Sequence, residues 1–584
     1  MSLLVACTGT EPAEPQIIEV EKEVIKEVEV IKEVPVETIV TKEVIKEVPV
    51  EKIVTKEVIK EVEVQVPVTP KEVPALAQPT PALPAALIAE QDKYGGSLKV
   101  VSQASVKSMD PAFAPAYVTT VTSQHIFEQL FAWDASYVAQ PQMVDSWKLT
   151  NDGKTYEITL RDGLIFHNDN PVTSHDAIAS LGRWWEKQAA GKLVFQSMAE
   201  GGIQAVDDKT FTMTFQEPFG ALLNAASIPH RYPATFTKEA AMLTAFEDIG
   251  EENIIGSGPY KLKLWEPGNR IVLERHEKYS PRSEPGSFLA GGSVPYLDEI
   301  TWVEIPNEET KIAGLETGEW DIVDGAGLDF YDQLSMNPDI RIASYPGHQS
   351  TIQIHVGVPP TDNKLVRQAI LAAIDAEAFM SSLGPSELWS LCGSVYYCNT
   401  PLESQGGADL YNQNNIERAR ELIKEAGAEG ATIKVMNPND YGTITPLGLV
   451  LKPMLEDIGL TVEMPGMDWA TLISKIRGDD YNMFTTWWAQ WAVADPITDV
   501  VVASTAGYAG DYNNPRFQEL RLQYAAAQTA DERLSIVDEI QEIYLDEVPK
   551  IWLGQFSSIF PHRTTVQNLD VPAIPMFLNV WMDN

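Results

Sequence analysis

Apolar and polar residues alternate in two short segments of the first half of the chain, and each alternation follows a polar turn. Residues 147–161 contain the turn 151–153, and residues 203–215 contain the turn 207–209. An alternation with a period of two on either side of such a turn is typical of a β-hairpin with one buried face. We therefore predict two antiparallel hairpins. Their apolar positions are Tyr156, Ile158, Leu160, Phe211, Met213 and Phe215.

A helix is predicted between the two hairpins. Thr173 and Asp176 have the spacing of a capping box, in which each side chain satisfies a backbone N–H at the helix start. We expect the helix to run to about Gln188. The hairpins and the helix together form a small α+β unit.

A strand–helix–strand pattern follows this unit. Residues 300–303 and 321–323 are predicted strands, Asn307 is a predicted helix cap, and Gly318 is a predicted helix stop. The same order returns later in the chain. The later predicted strands are 432–436, 460–464 and 481–487, and the helices are 446–458 and 469–477. We expect two separated α/β lobes and one hairpin-rich insert, with ligand bound between the lobes where strands end.

The first 93 residues differ in composition from the rest of the chain. Residues 17–73 are built mainly from Val, Ile, Glu and Lys, and prolines interrupt any continuous helix. The proline-rich residues 74–92 continue as an extended linker. We predict that residues 17–93 form a tether that holds a domain away from a surface, with a short coiled coil as the alternative.

The sequence LVAC at residues 4–7 resembles the lipobox of bacterial lipoproteins, whose cysteine is acylated. The charged and apolar segments that precede a lipobox are missing. We interpret residues 1–16 as the remnant of a lipoprotein signal. Either the chain is trimmed or its start site is placed too late in the sequence. Cys7 is the predicted lipid anchor, which implies an extracytoplasmic location at the membrane surface.

Net charge and hydropathy exclude two classes of protein. The formal net charge of −40 would repel a phosphate backbone, so we expect no nucleic-acid partner. No apolar run is long enough to cross a membrane, so we predict no transmembrane segment.

Catalytic and metal-binding motifs are not recognisable. The 8 histidines are scattered, and no GxSxG, Walker loop or GxGxxG lies at a strand-to-helix junction. We therefore predict no enzymatic activity, no cofactor and no metal site. Cys392 and Cys398 bracket a short loop, and the sequence leaves open whether they form a disulfide or remain free thiols.

Several ordered motifs resemble the extracellular solute-binding proteins of family 5, which serve dipeptide, oligopeptide and nickel importers. The resemblance covers nearly all of residues 94–584. The motifs are GGSL at 95–98, MDP at 109–111, FEQL at 127–130, PQMVDSW at 141–147, LRDGLIFH at 160–167, PVTSHD at 171–176, GSGPY at 256–260, WEPGN at 265–269, LETGE at 315–319, VRQAI at 366–370 and AID at 373–375.

This resemblance implies an α/β architecture of the periplasmic-binding-protein type II fold. Two lobes are joined by hinge strands and carry a hairpin-rich inserted domain, and the ligand is enclosed as the lobes close. Lobe I combines residues 94–128, 258–345 and 548–584, the inserted domain is 129–257, and lobe II is 346–547. The implied function is capture of peptides for an ABC permease by a monomeric receptor.

The segment TWWAQWAVADP at residues 486–496 occupies the place where peptide-binding relatives contact their ligand. Those relatives carry an aspartate for the α-amino group of the peptide, and Ala492 stands in its place. Tryptophans and an amide suit a sugar ring, so an oligosaccharide ligand is the alternative. The candidate ligand contacts here are Trp487, Trp488, Gln490, Trp491 and Asp495, although Asp495 also suits a role in the turn.

Two further regions are candidates for ligand contact. The loop 389–397, which holds one cysteine and ends beside the other, corresponds to an aromatic lip in relatives, and it contains Trp389, Tyr396 and Tyr397. Asp110 and Tyr117 follow the first strand and approach the cleft from the other lobe. An extracellular hydrolase on a lipid anchor is the remaining alternative, and it requires turnover of the ligand.

Overall fold

A computed structural model describes most of the chain from residue 90 onward. The exceptions after residue 90 are 103, 115, 493–494, 498–508 and 584. The predicted signal remnant with Cys7, and all but the last 4 residues of the predicted tether, lie outside the described residues. Contacts divide the chain into residues 1–73 and 74–584, and the described residues belong to the second unit. Within the described part, no helix is long and apolar enough to span a membrane.

Most strands belong to one large mixed sheet. The strands are β1 (Ser97–Ser102), β2 (Phe131–Trp133), β3 (Ala139–Pro141), β4 (Val144–Thr150), β5 (Thr155–Leu160), β6 (Met198–Ala205), β7 (Thr210–Phe215), β8 (Tyr260–Glu266), β9 (Arg270–Arg275), β10 (Glu299–Glu304), β11 (Ile322–Val323), β12 (Ile340–Ile354), β13 (Trp389–Ser390), β14 (Thr432–Pro438), β15 (Thr461–Glu463), β16 (Gly466–Met467), β17 (Met483–Ala489), β18 (Lys550–Arg563), β19 (Val566–Gln567) and β20 (Trp581–Met582).

Helices pack on both halves of this sheet and in the inserted unit. The helices are α1 (Tyr117–Ser123), α2 (Ser174–Lys187), α3 (Ala189–Ser197), α4 (Leu222–Ala225), α5 (Lys238–Ala241), α6 (Glu308–Thr317), α7 (Tyr331–Ser335), α8 (Lys364–Ala373), α9 (Ala376–Ser381), α10 (Ile416–Glu425), α11 (Thr445–Asp457), α12 (Trp469–Lys475), α13 (Pro515–Ala526) and α14 (Ala530–Glu547).

The large sheet runs in the order β15-β14-β17-β12-β18-β11-β1-β10-β9-β8. In one half, β1 is parallel to β10 and β11. In the other half, β14 is parallel to β15 and β17. The long strands β12 and β18 pair antiparallel in the middle and contact both halves. The mixed α/β class predicted from the sequence is confirmed.

The pairing of β12 with β18 is irregular at the point where the chain passes from one half to the other. Its register shifts between Tyr345 and His348, so Pro346 and Gly347 form a bulge. A Cβ on Gly347 would approach the Tyr345 ring to 1.9 Å, which only glycine avoids. These two strands therefore have the connecting role expected of hinge strands.

The inserted unit has the predicted hairpins and helix. The strands β4, β5, β7 and β6 form a 4-stranded antiparallel sheet with the hairpins at the predicted places. Helix α2 begins at the predicted capping box between Thr173 and Asp176 and ends at Lys187. Alternating side chains of β5 and β7 are buried beneath α2, which explains the period-two pattern of the sequence.

The second α/β region agrees in its elements and differs at some of their ends. Helix α12 ends at Lys475, and β17 begins at Met483, two residues later than predicted. Tyr481 donates a hydrogen bond from its hydroxyl to the carbonyl of Ile476 at 2.8 Å, and Asn482 accepts one from the N–H of Lys434 at 2.9 Å. These side-chain contacts fix the connection between the helix and the strand.

The domain limits stay a prediction, but one core crosses them. Tyr156 and Trp184 of the inserted unit share an apolar cluster with Tyr396, Tyr397 and Tyr544. The insert therefore packs directly on residues assigned to lobe II.

Candidate functional site

Trp487 and Trp488 are neighbours on β17 and pack in different surroundings, as adjacent strand residues must. The Trp487 ring centre lies 4.7 Å from that of His348, and its Nε1 donates to Thr443 Oγ1 at 3.1 Å. The Trp488 ring packs on the apolar cluster shared by the inserted unit and lobe II, with Lys550 Nζ 5.6 Å from its centre. Both tryptophans are half-buried, and ligand contact by either stays a prediction.

The turn after β17 brings the two halves of the sheet into contact. Gln490 Oε1 accepts a hydrogen bond from the hydroxyl of Tyr345 at 3.2 Å. The ring of Trp491 lies 5.6 Å from the ring of Tyr117 and 4.9 Å from that of His230. The Nε1 of Trp491 is buried and has no hydrogen-bond acceptor among the described residues.

Tyr117 connects this turn to a buried carboxylate. Its hydroxyl donates to Asp324 Oδ1 at 2.6 Å. Asp324 directly follows β11, and its N–H bonds to the carbonyl of Val101 at the end of the parallel strand β1. We call Tyr117, His230, Asp324 and Trp491 the junction cluster, because they join the ends of β1 and β11 to the turn after β17.

The loop that carries the two predicted tyrosines is fixed from several sides. Cys392 and Cys398 form a disulfide, so the alternative of free thiols is wrong. Tyr396 and Tyr397 are buried, and the Tyr397 hydroxyl donates to the carbonyl of Trp488 at 2.7 Å. Trp389 donates from Nε1 to the carbonyl of Gly384 at 3.1 Å. The loop therefore lies against β17, and ligand contact by its aromatic residues stays a prediction.

The two predicted aspartates lie at different places, and each has hydrogen bonds within the protein. Asp110 is 0% exposed, pairs with Arg183 of α2, and accepts from the N–H of Ala112 at 2.9 Å. Asp495 is buried and accepts from the N–H of Ile497 at 2.9 Å, which is the turn role anticipated for it. Neither carboxylate belongs to the junction cluster.

The electrostatics of the junction cluster centre on Asp324. Burial raises its pKa to about 7, against the hydrogen bond from Tyr117 and the charge of Lys311, which lower it. Burial, together with the charge of Asp324, raises the pKa of the Tyr117 hydroxyl well above its ordinary value. Burial lowers the pKa of His230 to about 3, so its ring is neutral at neutral pH. Within the described residues, no group of three or more His, Cys, Asp or Glu side chains could hold a metal ion.

The family model for bacterial extracellular solute-binding proteins, family 5, matches residues 138–510, more than half of this chain. The chain belongs to family 5 of the bacterial extracellular solute-binding proteins.

Similar proteins extend the likeness over more than four fifths of this family 5 protein. A probable peptide ABC transporter periplasmic-binding protein of Sinorhizobium fredii is 28% identical over 487 residues, which cover 81% of this chain and 91% of the relative. Two solved structures share the fold. DppA from Helicobacter pylori, in complex with the peptide STSA, has 22% identity and a TM-score of 0.68 and covers 85% of this chain and 99% of its own. The oligopeptide-binding protein AppA from Bacillus subtilis, in complex with a nonapeptide, has 17% identity and a TM-score of 0.67 and covers 84% of this chain and 100% of its own.

The sequence predicted Tyr117 and Trp491 as site residues, but it did not predict Asp324, His230 and Tyr345. A signal for Asp324 was present, since it is the first polar residue after a predicted strand, and ligands lie at the carboxyl ends of such strands. No signal marked His230, which reaches the cluster from the connection between α4 and α5.

Reducing the disulfide should destabilise the protein. The chain-entropy model gives about 2 kcal/mol for a loop of this length. We expect a reductant to lower the melting temperature of the full chain in differential scanning calorimetry. The double variant Cys392→Ser/Cys398→Ser is the control, and its melting temperature should not respond to reductant. An equal response of both proteins would contradict the prediction.

Removing the ion-pair partner of Asp110 should lower the free energy of unfolding. Arg183→Met leaves a carboxylate with 0% exposure and without its ion-pair partner, and breaking a buried pair in this way costs about 3–5 kcal/mol. Denaturant unfolding should show this loss. The control is Arg418→Met, whose side chain is half exposed in a surface pair with Glu421 and should change stability by less than about 1 kcal/mol. Similar losses for the two variants would refute the prediction.

Asp324→Asn should remove part of the pH dependence of stability. The folded pKa lies above the ordinary value of 3.8, so the folded protein holds the proton more tightly, and stability falls as pH rises towards 7. At about 1.4 kcal/mol per pH unit, the wild type should lose about 2–3 kcal/mol more than the variant between pH 5 and pH 8. Denaturant unfolding without ligand at both pH values measures this. Parallel losses in the two proteins would contradict the raised pKa.

Proposed function

We propose that this protein captures peptides outside the cytoplasm and delivers them to the permease of an ABC importer. The observation that carries the proposal is the likeness to the probable peptide receptor of Sinorhizobium fredii, which spans 81% of this chain and 91% of the relative. That protein carries the words peptide ABC transporter in its name. The two peptide complexes of similar fold, DppA and AppA, support the same class of ligand.

The geometry supports a receptor that closes around its ligand. The halves of the sheet are connected through β12 and β18, and residues from both halves meet in the junction cluster. A ligand held between them gains contacts only in the closed state, so binding shifts the population towards closure. This role requires no bond to be broken, and we propose a binding protein without enzymatic activity.

Membership of the family and the LVAC segment support a proposal for the location and the partners. We propose that Cys7 is acylated and that residues 17–93 hold the binding domain away from the membrane. The receptor would act as a monomer, with a permease in the membrane as its partner. Tethering keeps captured ligand near the transporter by raising its effective concentration.

A panel of ligands tests the proposed function on the full chain. Free di- to pentapeptides, cello- and xylo-oligosaccharides and nickel are added separately, and the melting temperature is measured. A ligand at a hundred times its Kd adds about 2.7 kcal/mol to stability, which raises the melting temperature measurably. We expect a rise with peptides and recovery of the peptide intact by mass spectrometry.

Two variants locate the site. Trp491→Ala should abolish the rise caused by peptides. Trp185→Ala should not, since Trp185 stacks on Phe195 in the inserted unit, outside the junction cluster. A rise with oligosaccharides and none with peptides would replace the peptide assignment by a sugar-binding role, and cleaved peptide would indicate a hydrolase.

A further inference from the structure

Asp324 lacks the cationic partner that two other buried carboxylates of this protein have. Asp110 pairs with Arg183, and Glu128 lies 3.3 Å from Arg161. Asp324 is 1% exposed and forms no ion pair within the described residues. A carboxylate without a counter-ion is expensive to bury, so this position needs an explanation.

The positive charge that acts on Asp324 is already paired. Lys311 of α6 contributes to the electrostatics of Asp324, but its Nζ pairs with Glu308 at 3.3 Å. Tyr117 is the one side-chain hydrogen-bond donor to Asp324 in the part of the chain that the structure describes. A carboxylate offers about four lone-pair sites, so Asp324 keeps acceptor capacity for another donor.

The surroundings of Asp324 suit an ammonium group. The residue lies at the carboxyl ends of the parallel strands β1 and β11, the edge where ligands bind in open α/β sheets. Tyr117 joins Asp324 to the Trp491 ring of the opposite half. The faces of tyrosine and tryptophan rings attract cations, and a carboxylate beside them adds a charged acceptor.

We propose that Asp324 binds an ammonium group of the captured ligand, with Tyr117 and Trp491 enclosing it as the halves close. The assignment rests on the proposed function, in which the ligand is a peptide. The ammonium group then comes from the peptide N-terminus or from a lysine side chain. Asp324 supplies a charge from the half of the sheet that contains β1, opposite the tryptophan-rich turn.

The test compares free, N-acetylated and lysine-containing peptides by isothermal titration calorimetry on the full chain. The probes are tetra-alanine and a tetrapeptide with one lysine, each with a free and with an acetylated N-terminus. The peptide that raises the melting temperature most in the ligand panel is added, also in the free and the acetylated form. Wild-type protein should bind the form with the recognised ammonium group about 10- to 100-fold more tightly than the form without it. Asp324→Asn should bind both forms equally, at the weaker affinity.

The matched control is Asp321→Asn. Asp321 lies at the other end of β11, where its Oδ2 accepts from the N–H of Lys99 at 2.8 Å, and the variant should retain the preference of the wild type. Unfolding curves check that Asp324→Asn is folded, and the raised pKa of Asp324 predicts that it is at least as stable as the wild type at pH 8.

The outcomes separate the two proposals. If N-acetylation weakens binding to the wild type, Asp324 binds the ammonium group of the peptide N-terminus. If the lysine strengthens binding whether or not the N-terminus is acetylated, Asp324 binds the lysine side chain. Peptide binding by Asp324→Asn with an unchanged preference for the ammonium form overturns the role of Asp324 and leaves the peptide receptor intact. Equal binding of peptides with and without an ammonium group by the wild type also overturns the role of Asp324 and leaves the peptide receptor intact. Failure of wild-type protein to bind any peptide overturns the proposed function, and the assignment of Asp324 with it.

Discussion

The pairing between β12 and β18 is the constraint on which the rest of the structure depends. These strands of 15 and 14 residues exchange backbone hydrogen bonds along most of their length. Buried N–H and C=O groups must be paired, so the strands next to β12 and β18 are fixed in register with them. The two halves of the sheet are thereby held to the same central pair. The bulge at Pro346 and Gly347 interrupts this pairing between the halves, and a second register shift follows between Ser350 and Thr351.

This arrangement explains why the candidate site lies where it does. Strands β1 and β11 end beside the middle pair in one half, and β17 ends in the other. Their following residues are therefore brought together without belonging to neighbouring segments of the chain. Tyr117 with Trp491, and Tyr345 with Gln490, are the contacts that result. A ligand between such groups can stabilise one arrangement of the halves over another, which is the physical basis of capture.

Three buried carboxylates of this protein have two kinds of surroundings. The pairs Asp110–Arg183 and Glu128–Arg161 connect separate segments, and each has its own counter-ion. Asp324 has a tyrosine hydroxyl instead, and its pKa rises to about 7. In the first kind, removing one partner would leave an uncompensated buried charge. The second kind keeps an acceptor available at the edge of the sheet, at a cost in stability that a cationic ligand would offset.

Local patterns in the sequence determined the hairpins around Tyr156 and Phe211, the capping box at Thr173, the helix between Asn307 and Gly318, and membership of the family through its ordered motifs. These features depend on neighbours within a few residues, which the sequence displays directly. The tertiary structure alone decided that Asp110 faces Arg183, that the two cysteines pair, and that His230, Asp324 and Trp491 share one cluster. Those contacts join residues far apart in the chain, and the packing of whole strands and helices brings them together.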